Sequence, residues 1–157
     1  MDQRRAYPAY PLVGVGVLIV RRGRILLVRR RNPPDENRWA MPGGLVELGE
    51  TITDAARREA REELGVSVRI TELVEISDNV ILDRLGRAKY HFILVDFAAS
   101  AGTGRVRLNA ESSEFGWFTA DEVESLETAG KTRPVALRFM RRLRRHSPHS
   151  ARRRSRF

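Results

Sequence analysis

Three glutamates, Glu59, Glu62 and Glu63, lie within five residues of one another in the stretch Thr51 to Leu64, which reads as a helix. With Glu59 at zero and roughly 100° per residue, Glu63 falls near 40° and Glu62 near −60°, among Ile52, Ala55, Ala56 and Ala60. Arg57, Arg61 and Asp54 fall on the opposite side. The carboxylates therefore share the side that carries the apolar residues. A solvated charged face would be arranged the other way round. Close carboxylates turned inward repel one another and lose hydration, so they must either take up protons or bind cations. Hard oxygen donors at this spacing suit Mg²⁺ or Mn²⁺. The plainer alternative is an Arg/Glu-rich helix held by ion pairs, such as Arg58 with Glu62 at i, i+4.

The surrounding sequence must position this helix. Thr51 and Asp54 have capping-box spacing, and Gly65 is a natural stop. Upstream, Val13 to Val20 is an apolar, β-branched run that predicts a buried strand. Arg21-Arg22-Gly23 turns it back on Ile25 to Val28. Asn32 to Asn37, with Pro33 and Pro34, is a loop, and Trp39, Met41 and Pro42 lead to Gly43 and Gly44. Downstream, Val66 to Ile76 and Lys89 to Phe97 read as strands with a turn over Leu82 to Ala88. Ala101 to Gly104 is a loop, Phe115 to Phe118 a short strand and Asp121 to Thr128 a short helix. Thr132 is placed to cap a last helix, with Val135, Phe139, Met140 and Leu143 on one side. Helices interleaved with strands indicate an α/β layered domain. Gly14 and Gly16 lie inside a strand, where glycine marks a bulge or a close backbone approach.

The 157 residues suit one domain and one core. Residues 1–145 are expected to form it, with 146–157 an Arg-rich, disordered tail. The net charge of +9 is unevenly spread. Ten arginines and no acidic residue lie in 133–157, which leaves 19 basic residues against 20 acidic ones before them. Such a tail implies at most nonspecific, salt-sensitive contact with nucleic acid. There is no cysteine, so disulfides, thiolate metal sites and a cysteine nucleophile are excluded. The run Leu12 to Val20 is too short to cross a bilayer. Pro8, Pro11 and the arginines that follow it argue against a signal peptide. A cytoplasmic protein without membrane contact is the expectation.

From Gly44, five residues lead to Glu50, and seven more to Arg58-Glu59, followed by Glu62-Glu63 and Gly65. This spacing resembles the signature of the Nudix hydrolases at each of those seven positions, with Ala60 and Val66 at its apolar sites. Seven such matches arise by chance at a given start on the order of once in 10⁸. The resemblance extends upstream over Trp39 to Gly43 and downstream over Glu111 to Val123.

The resemblance implies an α/β/α sandwich with a mixed β-sheet and a divalent-metal-dependent diphosphate hydrolase, using Mg²⁺ or Mn²⁺. It implies Glu59, Glu62 and Glu63 as metal ligands, with the Gly44 carbonyl and Glu47 as further candidates. Arg58 would orient a catalytic glutamate, Glu50 would support the loop, and Gly43 and Gly44 would let backbone approach phosphate. The general base is a helix glutamate such as Glu59 or Glu62, or a loop carboxylate, with Glu114 ahead of Glu111. Arg29, Arg30 and Arg31 follow a strand and are candidates for phosphate or ribose, Arg29 and Arg31, two apart, sharing one face; the alternative is a solvated strand end. Trp39 either stacks on a base or packs under the loop, and His91 reads as structural. The expected substrate is ADP-ribose or a related nucleotide sugar, and the expected assembly a homodimer. The alternatives are an oxidised nucleoside triphosphate and, from another class, a non-catalytic nucleotide-sugar sensor that binds nucleic acid.

Overall fold

In the computed structural model, residues 5–33, 35–102 and 104–146 are described. The expected tail falls almost wholly outside them. The chain forms β1 (Leu12–Arg21), β2 (Arg24–Arg30), β3 (Trp39–Ala40), β4 (Gly43–Leu45), α1 (Ile52–Leu64), β5 (Val68–Leu82), β6 (Ala88–Ala101), β7 (Ser112–Phe118), α2 (Ala120–Ser125) and α3 (Thr132–His146). The seven strands make one mixed sheet in the order β3-β2-β1-β6-β5, with β4 on β1 and β7 on β2. Among the named strands of the described residues only β1 and β6 pair in parallel, from Leu12↔Phe92 to Val20↔Ser100.

Strand alternation sorts the core into two layers. Val15, Val17 and Ile19 of β1, Leu26 and Val28 of β2, and Val95, Phe97 and Ala99 of β6 pack with Ala55, Ala56, Ala60 and Leu64 of α1. The opposite parity, Leu18, Ile25, Leu27 and Ala98, packs with Val123 of α2 and Val135, Ala136, Phe139 and Met140 of α3. The α/β/α sandwich is therefore as expected. Leu143 departs from the expected stripe, because it is exposed at the far end of α3.

Several boundaries moved. β5 and β6 run on to the Asp83–Arg87 turn, because their pairing continues to Leu82↔Ala88. The Asp83 carboxylate accepts from the Leu85 and Arg87 N–H groups and fixes that turn. α2 starts earlier, at a complete capping box of Thr119 with Glu122. At α1 the Thr51 hydroxyl accepts from Asp54 N–H, but the Asp54 carboxylate takes the Thr51 hydroxyl rather than its backbone N–H. The α3 arginines are mostly neutralised: Arg138, Arg142, Arg141 and Arg144 pair with Glu75, Glu72, Glu124 and Asp121.

The feature that places the site is a split in the sheet. β1 and β2 pair only at Val20↔Ile25 and Arg21↔Arg24. Beyond that they diverge, with β4 on β1 at Gly14↔Leu45 to Gly16↔Gly43 and β3 on β2. β4 lies so close that a Cβ on Gly43 would sit 2.0 Å from the Val15 carbonyl oxygen. Gly43→Ala must push β4 off β1. We expect it to cost roughly 1–3 kcal/mol and to lower the melting temperature by several degrees, read by thermal denaturation. An unchanged melting curve would contradict the close approach.

Candidate active site

α1 runs from the Thr51 cap to Gly65, which ends it in the left-handed conformation at φ 66°. Its inner face holds Glu59 and Glu63 against β4. Gly44 leaves no room for a side chain, since a Cβ there would lie 2.2 Å from Glu59 Oε1. Glu63 is 7% exposed. Burial pushes its acid up to about 8, with the Glu59 and Glu111 charges adding to the rise and the Gly43 N–H and Arg30 opposing it. Burial also raises Glu59, against the Arg58 hydrogen bond, with Glu62 and Glu111 adding to the rise.

Arg58 ties the loop to the helix. Its Nη2 donates to Glu50 Oε1 at 2.7 Å and to the Leu45 carbonyl at 2.9 Å, and its Nε donates to Glu50 Oε2 at 3.1 Å. Its Nη1 donates to Glu59 Oε1 at 2.8 Å and Glu62 Oε2 at 3.1 Å. Glu50 Oε1 also accepts from Glu47 N–H at 2.8 Å. Glu50 thus supports the loop and Arg58 holds Glu59 in place. These charge-assisted bonds lower the Glu50 pKa and raise that of Arg58.

The sequence candidates separate. Glu59 and Glu63 come together beside Gly43 and Gly44. Glu62 is half-exposed on the rim and turned to Arg58, and Glu47 is more exposed, 3.9 Å from Arg58. Among the described residues no three acidic or histidine side chains stand ready as a metal cage. The donor chemistry nonetheless fits a hard divalent cation. Two adjacent carboxylates raised by burial, one of them also by the other, gain from a cation beside them, and the Gly44 backbone lies against Glu59. Glu62 would complete the set by swinging off Arg58.

Glu111, the second choice, acts electrostatically on both buried glutamates. Glu114 is instead paired with Arg29 at 3.2 Å, half-exposed. Arg29 also donates to the Asn37 carbonyl. Arg31 lies beyond the strand end and donates to the Ser112 carbonyl. The pairing of β2 with β7 shifts register between Arg29 and Arg30, where β7 carries Ser113 as an extra residue. Arg30, between them, has the parity of Leu26 and Val28. Its charge acts on Glu63, and its buried Nε has no partner. That parity is the signal that sets Arg30 apart from its two neighbours. For Trp39 the packing alternative holds, with its ring edge-on to Phe118 at 4.8 Å. His91 contacts Asp78 at 3.9 Å and lies outside the glutamate cluster.

The sandwich and the loop–helix unit define a class, and the chain matches the NUDIX domain model over residues 11–143. It belongs to the Nudix family of hydrolases. It is 30% identical over 117 residues to an ADP-ribose pyrophosphatase of Methanocaldococcus jannaschii, covering 74% of this chain and 67% of that one. It is 31% identical over 116 residues to a MutT-like protein of Streptomyces ambofaciens, covering 74% and 68%. A MutT Nudix hydrolase from Burkholderia pseudomallei superposes with a TM-score of 0.71 at 33% identity, covering 80% of this chain and 95% of the other. Among the described residues no helix is long and apolar enough to cross a membrane.

The raised Glu63 makes a prediction for the metal-free protein. Its folded-state acid is pushed up to about 8, above the ordinary carboxylate value of 4.5, so between the two the folded state holds more protons than the unfolded one. Stability must fall as pH rises through that window. We expect the melting temperature of metal-free wild type to drop more steeply than that of Glu63→Gln from about pH 5 to about pH 9. Parallel profiles would show that Glu63 is not strained by its burial.

Proposed function

We propose that the protein hydrolyses the diphosphate linkage of ADP-ribose or a related nucleotide sugar, giving a nucleoside monophosphate and a sugar phosphate with Mg²⁺ or Mn²⁺ as cofactor. The observation that carries this is the pair of inward glutamates beside Gly43 and Gly44: Glu63, buried and bonded by the Gly43 N–H, and Glu59, half-buried and held by Arg58. A bound divalent ion there would neutralise diphosphate charge and acidify water. Glu59, Glu63 and the Gly44 carbonyl would hold it, with Glu62 joining from the rim. Gly43 and Gly44 leave backbone free to approach phosphate, and Arg30 supplies a positive charge beside Glu63. Glu111 is the better placed loop carboxylate to take a proton from water, since Glu114 is engaged with Arg29. Substrate has room beside the loop, where Tyr7 to Val13 and Val46 to Leu48 line a groove of about 700 Å³. The name of the archaeal relative supports ADP-ribose. Similarity to a MutT-like protein keeps an oxidised triphosphate as the second substrate to test. A cytoplasmic homodimer belongs to this reading. A nucleic-acid-binding sensor has less support, because four α3 arginines are paired with carboxylates of the same chain.

Phosphate release from a panel of nucleotide sugars and triphosphates, with a phosphatase to free phosphate from the products, tests the reaction. We expect ADP-ribose to be cleaved with either metal, and Glu62→Gln and Glu111→Gln each to lower kcat about 10²–10⁴-fold. Glu114→Gln should stay within a few-fold. A preference for triphosphates would replace the substrate, and no turnover by wild type would overturn the hydrolytic reading. A larger loss at Glu114 than at Glu111 would reverse the choice of base.

A further inference from the structure

The α3-side face of the sheet holds a buried acid that the hydrolysis does not use. Asp96 of β6 is 2% exposed, and its Oδ2 has no hydrogen-bond partner. Burial and the Glu75 charge push its acid up to about 6, and Lys131 opposes them. Above that pH it is an anion without a donor, a costly arrangement that asks for a ligand. Its place is specific. A Cβ on Gly16 would lie 2.3 Å from Asp96 Oδ1 and 3.3 Å from the Met41 methyl, so β1 accommodates the carboxyl only because residue 16 is glycine. Gly16 is paired with Gly43, one residue before the glycine that lies on Glu59.

On the same face, towards the start of β6, the side chains Leu94, Phe92 and Tyr90 are left half-buried, where the α3-side core ends. Tyr90 and Phe92 stack with ring centroids 6.2 Å apart. Ser77 of β5, opposite Leu94, carries a second buried oxygen without a partner. Lys131 reaches over from the start of α3 and donates to the Asp78 carbonyl. Glu75 does not compete for Lys131 alone, because Arg138 pairs with it at 2.8 Å. An apolar, partly aromatic strip thus ends at a buried acceptor beside an ammonium donor. The stretch Trp39 to Leu45 bridges the split between β1 and β2, with Met41 against Gly16 on this face and Gly44 against Glu59 on the other.

We propose that Asp96 and Lys131 determine specificity for the base of the substrate and select an adenine-type edge. The exocyclic amine donates to Asp96, and the neighbouring ring nitrogen accepts from the Lys131 ammonium. Hypoxanthine reverses both groups, setting a carbonyl oxygen against the carboxylate and an N–H against the ammonium. This rests on the nucleotide reading above but not on turnover, so binding tests it separately. Calorimetric titration of the wild-type protein with AMP, IMP and purine riboside monophosphate should rank AMP first. IMP should be weaker by about tenfold or more, and the compound lacking the amine should fall between them. Asp96→Asn, which puts a donor where the acceptor was, should remove or invert the AMP preference while its melting temperature shows it folded. Equal binding of AMP and IMP, or no binding of either, would overturn the proposal, as would an unchanged preference in folded Asp96→Asn. Should that variant fail to fold, the wild-type ranking alone decides. Clear AMP selectivity without cleavage of any diphosphate would keep this inference and strike the proposed reaction.

Discussion

The site depends on two glutamates turned to the apolar face of α1, Glu63 buried and Glu59 half-buried, against a backbone that leaves no room for a side chain at Gly44. Without a cation, burial disfavours their charged forms, and the Glu59 charge adds to the rise at Glu63 while Glu62 and Glu111 add to that at Glu59. A helix of this composition would be more stable with its carboxylates turned out to solvent. The fold prevents this because Ala55, Ala56, Ala60 and Leu64, on the same stripe, are fixed in the core between β1, β2 and β6. The hydrophobic layer thus supplies the free energy that holds charges where they are strained, as expected of a site that stores affinity for a cation.

Arg58 makes that strain tolerable without relieving it. One guanidinium satisfies Glu50 on both oxygens, caps the Leu45 carbonyl and reaches Glu59 and Glu62. Lysine could not replace it, because a point charge cannot serve a loop carboxylate, a carbonyl and two helix carboxylates in one plane. The glycines answer a complementary need. Gly43 lies on the Val15 carbonyl and Gly44 on the Glu59 carboxyl, so the loop touches the sheet on one side and the helix on the other. Charge on the arginine and absence of side chain on the glycines are two halves of one positioning device.

How much of this could be read in the sequence follows from the range of each interaction. The helix was legible because its periodicity, its Thr51 start and its Gly65 stop are local. So was the inward turn of Glu59 and Glu63, which the helical wheel places among alanines. Glu62, near −60° on that wheel, sits on the rim, where Arg58 draws it outward, and a wheel gives no depth. The strand residues were harder. Alternation from Leu26 and Val28 leads to Arg30, whereas spacing within the arginine run pairs Arg29 with Arg31. What engages those two is β7, 85 and 81 residues away in the chain, through Glu114 and the Ser112 carbonyl. The order of Glu111 and Glu114 turned on the same pairing, because β7 delivers Glu114 to Arg29. Asp96 carried no local signal, since one acid within an apolar strand reads as an interruption until Gly16 is seen beneath it.

This pattern explains why the reaction is easier to read than the substrate. The α1-side chemistry is written in one segment, where helix geometry forces the spacing of Glu59, Glu62 and Glu63 and loop length forces that of Gly44. The α3-side face is assembled from Gly16 on β1, Ser77 on β5, Asp96 on β6 and Lys131 before α3, none adjacent in sequence to another. They lie in the layer opposite the glutamates, and β1, β5 and β6 are shared by both layers. The α3-side face holds a buried, unsatisfied carboxylate, a group too costly in a purely structural layer to be filler.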